Sequence, residues 1–581
     1  MGDAARPTLA PRGIIDRQRA SISNAKTRAG NDTTISWRIG RRSRTPASVR
    51  PPSWPALPGS FDFERKAFFE KIGGYGFALG PVEVVASKGK GPFADLGLGL
   101  NRLRQVTGSR IQAASSPGSA AVAQALMTGD RSSIVAADLE VMRDSGLAHL
   151  LAISGLHMGL MAAIFFVIRA LLALVPALAL RYPIKKYAAF GSMVGALAYL
   201  ALTGATVPTQ RAFVMTCLVL LAVILHRRVI SMALVAWAAL AVLVISPQSL
   251  LGPSLQLSFA AVIALIAVYE ALQERFRQWR THANFIRRVL VYVTSVGLTT
   301  VVAGLATAPF AIYHFNRFAI FGLMANLIAV PVMAMWVMPW AMFVYLLMMV
   351  GLESVALVPM GWGIELILSV ARAVASLPGS VALVPSFTIW GLTLIAFGGL
   401  WLCLWRRRWR LLGVPLIAVG LSSALLQQRP DTLIDDSGRL FAIRDAQGSL
   451  RLSSQRVARF TAGQWLRRTA QRESGDWPIA EGSGDRTLRC DVLGCIYRAN
   501  GHTAALVKYP RALNDDCGAA TLIVSTVPVR PYCRSARILI DRFDLWRSGG
   551  HAIWLNPDDK IEFRSVASLR GERPWTTNRG R

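Results

Sequence analysis

Acidic residues are scarce in this chain: 33 Asp and Glu stand against 64 Lys and Arg, a formal net charge of +31 over 581 residues. Charge of either sign is itself thin, at 17%, while hydrophobic residues reach 53%, a membrane protein's composition. No G-x-x-x-x-G-K-[ST] sequence occurs, which excludes a Walker-type ATPase within the chain. Energy for any transport must then come from a partner motor or an ion gradient. The first 60 residues contain no apolar run, so their arginines do not introduce a secretory signal. The basic excess has two readings. It belongs to the cytoplasmic loops of a multi-pass protein, or it meets a polyanion such as nucleic acid.

What the chain does have is a long series of apolar segments. Ten stand out: 149–180, 187–203, 211–226, 229–246, 255–273, 289–311, 318–349, 353–377, 387–405 and 411–427. A span needs about 20 apolar residues. The first and seventh are overlong and read as a span plus an interfacial or re-entrant piece, with Pro331 and Pro339 marking a break in the seventh. The fold expected is a polytopic α-helical membrane protein of about ten spans. Basic loops at 181–186, 226–228, 275–288 and 406–410 then fall on one side, and the nearly uncharged turns 203–210, 247–254, 313–317 and 378–386 on the other. This places the basic loops in the cytoplasm and both terminal regions outside.

Residues 1–60 read as a basic, disordered region, with Pro46, Pro51, Pro52, Pro55 and Pro58 marking an extended linker. Residues 61–148 read as soluble and partly helical, with surface helices at 121–126 and 133–146. Segments such as LFAIRD, AALVKY, TLIVST and ARILIDR predict strands, so 430–560 is expected to be a small β-rich or α/β domain. A basic frayed tail is expected at 561–581. Of six cysteines, Cys217 and Cys403 sit in apolar segments as core thiols. Cys490, Cys495, Cys517 and Cys533 share the C-terminal domain, where an even set in an exported protein suggests two disulfides. Spacing does not choose among the three pairings, and a tetrathiolate zinc site is the rival reading.

Polar motifs interrupt the apolar segments: HLLAISGLHMGL (149–160), LTGATVPTQRAFVM (202–215), SPQSLLGPSLQLSFAAVIAL (246–265) and APFAIYHFNRFAIFGLMANLIAVPV (308–332). In this order and spacing the chain resembles the membrane domain of the ComEC-type competence family over roughly 136–350. PGSFDFERKAFFEKIGGYGF (58–77) resembles the end of that family's periplasmic N-terminal module. Members carry preceding spans and an OB-type domain, so the resemblance implies that 61–148 is a remnant and that the start is misplaced or the gene truncated. Many members end in a metallo-β-lactamase-like domain with an H-x-H-x-D-H or similar motif. Here only His502 and His551 follow residue 430, so nuclease activity is not carried over. No catalytic residue, metal or cofactor is expected.

The resemblance implies a channel that moves single-stranded DNA across the bacterial inner membrane during natural transformation. It is expected to be multi-pass in the lipid bilayer, with the C-terminal domain periplasmic. A periplasmic DNA receptor and a cytoplasmic helicase motor are the implied partners, and a homo-oligomer is left open. Candidate path residues are His149, Ser154, His157, Arg211, Gln256, His314, Asn316 and Asn326. On one helix Ser154 and His157 share a face, and His149 lies about 80° from His157. Gly155 and Gly159 would admit a close backbone. Hydrogen bonding within a helix bundle accounts for the same residues. Arg211 meets phosphates or snorkels to the interface. Gln256 bonds across the bundle beyond a cap at Ser254. His314, Asn316, Arg317 and Asn326, interleaved with aromatics, suit a single strand or an interfacial belt. Two alternatives stand beside the channel: a membrane-embedded hydrolase using Ser154 and His157, and a truncated, non-functional remnant.

Overall fold

Apolar runs punctuated by glycine and proline fold into a stack of helices, and the strand-forming C-terminal segments fold into two sheets. The computed structural model describes residues 20–21, 42–44, 46–79, 83–85, 92–153, 155–227, 231–280, 285–478, 487–530, 532–533, 536–558 and 560–576. Five short strands come first: β1 (Ala20–Ser21), β2 (Arg42–Arg44), β3 (Ala47–Arg50), β4 (Gly74–Ala78) and β5 (Glu83–Val85). β4 pairs with β1 in parallel and with β3 antiparallel, and β2 pairs with β5. Helix α1 (Phe63–Phe69) lies between β3 and β4, capped by Asp62.

The disordered region expected over 1–60 is corrected where it is described. Residues 47–50 form a strand, and Trp54 and Leu57 are buried. The stiff prolines hold an extended segment, and that segment has a surface to lie on. The Trp465 indole donates to the Ala56 carbonyl at 2.9 Å, and Arg570 stands over the Trp54 ring at 5.4 Å. The remainder of that expectation, over 1–19, 22–41 and 45, lies outside the described residues.

The helical stack begins with α2 (Pro92–Ala114), α3 (Pro117–Thr128) and α4 (Ala136–Asp144). It continues with α5 (Gly155–Leu172), α6 (Pro176–Arg181), α7 (Ile184–Leu202), α8 (Val207–Ile224), α9 (Met232–Ile245), α10 (Pro253–Arg280) and α11 (Phe285–Phe315). Then come α12 (Gly322–Val332), α13 (Met338–Met348), α14 (Glu353–Ala375), α15 (Ile389–Leu404) and α16 (Gly413–Ser422). Strands β6 (Arg317–Ala319) and β7 (Val381–Leu383) pair antiparallel beside α11. Among the described residues, five helices are long and apolar enough to cross a membrane: Val207–Ile224, Pro253–Arg275, Phe285–Phe315, Gly322–Met348 and Glu353–Ala375. His157–Leu172, Met232–Ile245 and Ile389–Leu404 are shorter apolar helices. The break expected between Pro331 and Pro339 is a single π-helical turn, Met333–Val337, that joins α12 to α13. Such a turn absorbs the missing proline hydrogen bonds while the helix continues.

The main core lies where α3 and α4 meet α12, α13 and α14. This corrects the surface reading of 121–126: every residue from Ser119 to Thr128 is buried. A helix that is small and apolar on all sides packs inside. The Tyr199 and Tyr345 hydroxyls, from α7 and α13, donate to the last carbonyls of α3 at Leu126 and Met127, at 2.8 and 2.6 Å. Arg110 of α2 grips Glu353 at the start of α14 through two bonds of 2.6 and 2.5 Å. Glycines set the tightest helix contacts. A Cβ at Gly191 or Gly195 would meet the Phe165 ring at 2.8 or 2.6 Å, and one at Gly391 or Gly398 would meet a carbonyl of α16 at 2.6 Å. Open space surrounds Gly155 and Gly159, so the close approach expected there falls on α7 instead.

The C-terminal unit holds β8 (Thr432–Ile434), β9 (Phe441–Arg444), β10 (Leu450–Leu452), α17 (Arg459–Arg468), β11 (Leu488–Cys490), β12 (Gly494–Ala499) and β13 (His502–Val507). It is completed by α18 (Leu513–Ala519), β14 (Leu522–Ser525), β15 (Ile538–Ile540), α19 (Arg542–Ser548), β16 (His551–Leu555), β17 (Ile561–Ser565) and α20 (Val566–Arg570). One sheet runs β10-β9-β8-β16-β17 and the other β11-β12-β13-β14-β15, with β13, β14 and β15 parallel. Ile434, Phe441 and Ile443 of the first sheet face Tyr497, Leu506 and Val524 of the second. The outer faces are covered too, one by Trp465 of α17 and the other by Leu513 of α18. The frayed tail expected from 561 is corrected: β17 pairs with β16 from Ile561 to Ser565. Arg570 reaches Asp62 at 3.0 Å and buried Glu64 at 2.6 Å. Disulfides join Cys490 to Cys495, neighbours in the β11/β12 register, and Cys517 to Cys533.

Candidate functional site

Turns at one end of the helical stack, α1 and α17 enclose a cavity of about 1870 Å³. Small-molecule sites run to about 300–1,000 Å³, so this volume suits a longer ligand. Its mouth gathers the turns 205–211, 246–256, 313–316 and 386–389. Deeper walls come from Phe259 and Ile263 of α10, Leu305 and Pro309 of α11, and Leu392 to Cys403 of α15. From Ile389 to Cys403 the α15 wall spans about 21 Å at the helical rise. The mouth is basic. Arg65, Lys66, Arg131, Arg211 and Arg468 line it, against Asp62 and Glu70, and Asp62 is already engaged by Arg570. Burial pulls the Arg131 and Arg468 guanidiniums below their ordinary pKa range. The throat below is apolar.

Four of the residues expected from sequence meet at this cavity: Arg211, Gln256, His314 and Asn316. His314 Nε2 and Gln256 Oε1 lie 2.8 Å apart and tie α11 to α10. Asn316 ends α11 with a left-handed backbone, φ +58°, which asparagine tolerates. Its amide donates to Val384 O and Ser386 Oγ at 3.2 and 2.7 Å, so it shapes the mouth rather than offering a free donor. Arg211 is 7% exposed, and its Nε and Nη1 have no hydrogen-bond partner.

The other expected residues stand apart. His149 lies on a 3₁₀ turn, Ala148–Leu151, and its Nδ1 contacts Gly146 O at 3.0 Å. Ala152 is extended, so His149 and His157 do not share one helix and the expected stripe is not formed. His157 is buried in α5, and neither histidine lines the cavity. Asn326 sits on α12 away from the cavity, its Oδ1 buried without a partner. Ser154 lies outside the described residues. Arg317 is committed to Glu140 and Asp144 of α4 at 2.8 and 3.0 Å. Glu270, Glu365 and Arg372 likewise have partners in Arg406, Ser116 and Asp138. Sequence reasoning missed Arg131 and Arg468. Arg131 follows the αL glycine Gly129, which is a turn signal, but nothing local to α17 marks Arg468.

Among the described residues no group of three or more His, Cys, Asp or Glu converges to hold a metal. The four C-terminal cysteines lie in two separate pairs. The arrangement is suited to guiding an extended anion past fixed cations and along an apolar throat.

Residues 126–409 match the family described as Competence protein. The chain is 26% identical over 294 residues to ComE operon protein 3 of Bacillus subtilis, covering 51% of this chain and 34% of that protein. It is 32% identical over 263 residues to competence protein ComA of Neisseria gonorrhoeae, covering 44% and 37%. It is 28% identical over 223 residues to recombination protein 2 of Haemophilus influenzae, covering 38% and 27%. The chain thus spans about a third of the length of these relatives. No solved structure matches it. The matched stretch includes α5 to α15 and most of the cavity wall, and over it this chain is similar to the ComEC-type competence family.

Proposed function

We propose that the chain is the membrane-embedded conduit through which single-stranded DNA passes during natural transformation. The observation that carries this reading is the cavity: a basic mouth opening onto an apolar throat about 21 Å long, with the throat wall of α10, α11 and α15 and the cations Arg131 and Arg211 inside the segment shared with competence proteins. Fixed cations attract a phosphate backbone without reading its sequence, and an apolar throat limits ion leak. The ten apolar segments act as spans, the shorter ones thinning the bilayer or leaning on neighbours. The basic loops face the cytoplasm. The C-terminal unit, with its two disulfides, stands in the oxidising space outside, above the mouth. A receptor on that side delivers the strand, and a motor on the cytoplasmic side draws it through.

The test is DNA uptake in a deletion strain complemented with the wild-type gene or with Leu305→Trp, a bulky insertion in the α11 throat wall. At matched membrane levels, labelled DNA is expected to accumulate outside and fail to enter the cytoplasm in the variant. Normal entry in the uncomplemented deletion strain overturns the conduit.

A further inference from the structure

The first turn of α8 is left open on the cavity side. Its N-cap, Thr206, makes no side-chain bond to the helix amides; its hydroxyl meets that of Thr209 at 2.6 Å instead. Pro208 has no N–H to offer, and the first amides of a helix have no intrahelical acceptor. One turn further on, Arg211 is 7% exposed, its Nε and Nη1 buried and unpartnered. No ion pair engages it among the described residues. Burying a cation without an anion is costly, so a fold that keeps one has a use for it. Thr206, Val207, Gln210 and Arg211 all line the cavity.

The surroundings hold this turn in place. Arg104 caps the end of α7 by donating to Ala201 O and Leu202 O, each at 2.7 Å. Gly204 and Ala205 then reverse the chain with positive φ, and the Gln210 amide donates back to Ala205 O at 2.8 Å. The positive end of the α8 dipole and Arg211, about one turn apart on the same helix, therefore both stand on the cavity wall.

We propose that the N-terminal turn of α8 and Arg211 form a binding site for a single phosphodiester group. The inference rests on the conduit reading only for the source of that phosphate, a passing DNA strand. A lipid headgroup offers the same chemistry. One guanidinium against one phosphodiester monoanion balances the charge, and release needs only exchange for the next phosphate along the strand.

The test uses the full chain in phosphatidylcholine nanodiscs, as wild type, Arg211→Gln and Arg211→Lys. Binding of a fluorescein-labelled oligothymidine is followed by anisotropy over a salt series. Arg211→Gln is expected to weaken binding roughly tenfold, and to lower the slope of log K against log salt by about 0.7, the loss of one phosphate contact. Arg211→Lys should keep the wild-type slope. Doping the discs with phosphatidylglycerol separates the sources. Competition seen in wild type but not in Arg211→Gln assigns the site to lipid phosphate, keeping the site and removing this contact from the conduit. If wild type binds no oligothymidine, the conduit reading fails. The site is then judged by whether inorganic phosphate raises the melting temperature of wild type but not of Arg211→Gln. Identical behaviour of wild type and Arg211→Gln in all three arms overturns the site. So does a marked loss of melting temperature in Arg211→Gln without ligand, since removing an unpartnered cation should not destabilise the fold.

Discussion

Helices α14 and α11 are comparably apolar, yet 44% of the α14 span is buried inside the protein and only 6% of the α11 span. α14 carries its small residues, Ala356, Gly361, Gly363 and Ala371, along the face that meets α3, α12 and α13. The Trp336 and Val337 side chains fill the space a Cβ at Gly363 would need. α11 has Gly297 and Gly304 in open space, and its Leu305 and Pro309 face the cavity. The difference teaches that one half of the helical stack is a close-packed frame and the other is a wall around a void. Shape complementarity, not hydropathy, separates them.

The comparison breaks first where the open half is closed from above. Arg570→Ala strips buried Glu64 and Asp62 of their shared guanidinium, and a loss of about 3–5 kcal/mol is expected. The measurement is thermal unfolding of the purified chain. An unchanged midpoint would show that the start of α1 does not hold the C-terminal unit over the mouth.

The frame-versus-wall distinction is sharpened by matched leucines. Leu357→Ala in α14 (1% exposed) should cost about 2–5 kcal/mol. Leu305→Ala in α11 (68% exposed) should stay within about 0.5 kcal/mol. Equal losses in denaturant titrations of the two would refute the distinction.

A smaller effect tests how the frame is pinned. Tyr345→Phe removes the hydroxyl that satisfies Met127 O, for a loss of about 1 kcal/mol. A shift below the resolution of calorimetry would mean that the end of α3 is satisfied otherwise.

The smallest effect lies away from both halves and acts as a control. Burial, with Asp491 and Asp515 nearby, pushes the Asp516 carboxyl up to about 6 from its ordinary 3.8. A raised carboxyl pKa means the folded chain holds its proton more tightly than the unfolded one. That stability is full below about 3.8 and is lost as pH rises through about 6. Asp516→Asn should therefore melt higher than wild type above pH 6 and match it near pH 4. A constant difference at both pH values would exclude titration as the cause.

Much of this architecture was legible beforehand, and the failures have physical causes. The nearly uncharged turns at 203–210, 247–254, 313–317 and 378–386 are visible as a set, and residues of each line the cavity mouth, the last through Ser386. Arg211, Gln256 and His314 were visible as polar residues in those motifs. α3 mimics a surface helix because it mixes small and polar residues; its serine and glutamine are satisfied inside, as in Ser119 Oγ to Ser116 Oγ at 2.7 Å and Gln112 Nε2 to Gln124 Oε1 at 2.6 Å. His149 and His157 were grouped because neighbours in sequence were assumed to continue one helix, and the extended backbone at Ala152 separates them.

The sequence by itself determined the apolar segments, the basic loops between them and the clustering of four cysteines near one end, because each is a property of a local window. Only the tertiary structure decided which helices form the frame and which the wall. It chose Cys490–Cys495 and Cys517–Cys533 from three pairings, and it brought Arg211, Arg131 and Arg468 to one mouth. Those outcomes depend on which surfaces fit together across hundreds of residues, and neither hydropathy nor spacing records that fit.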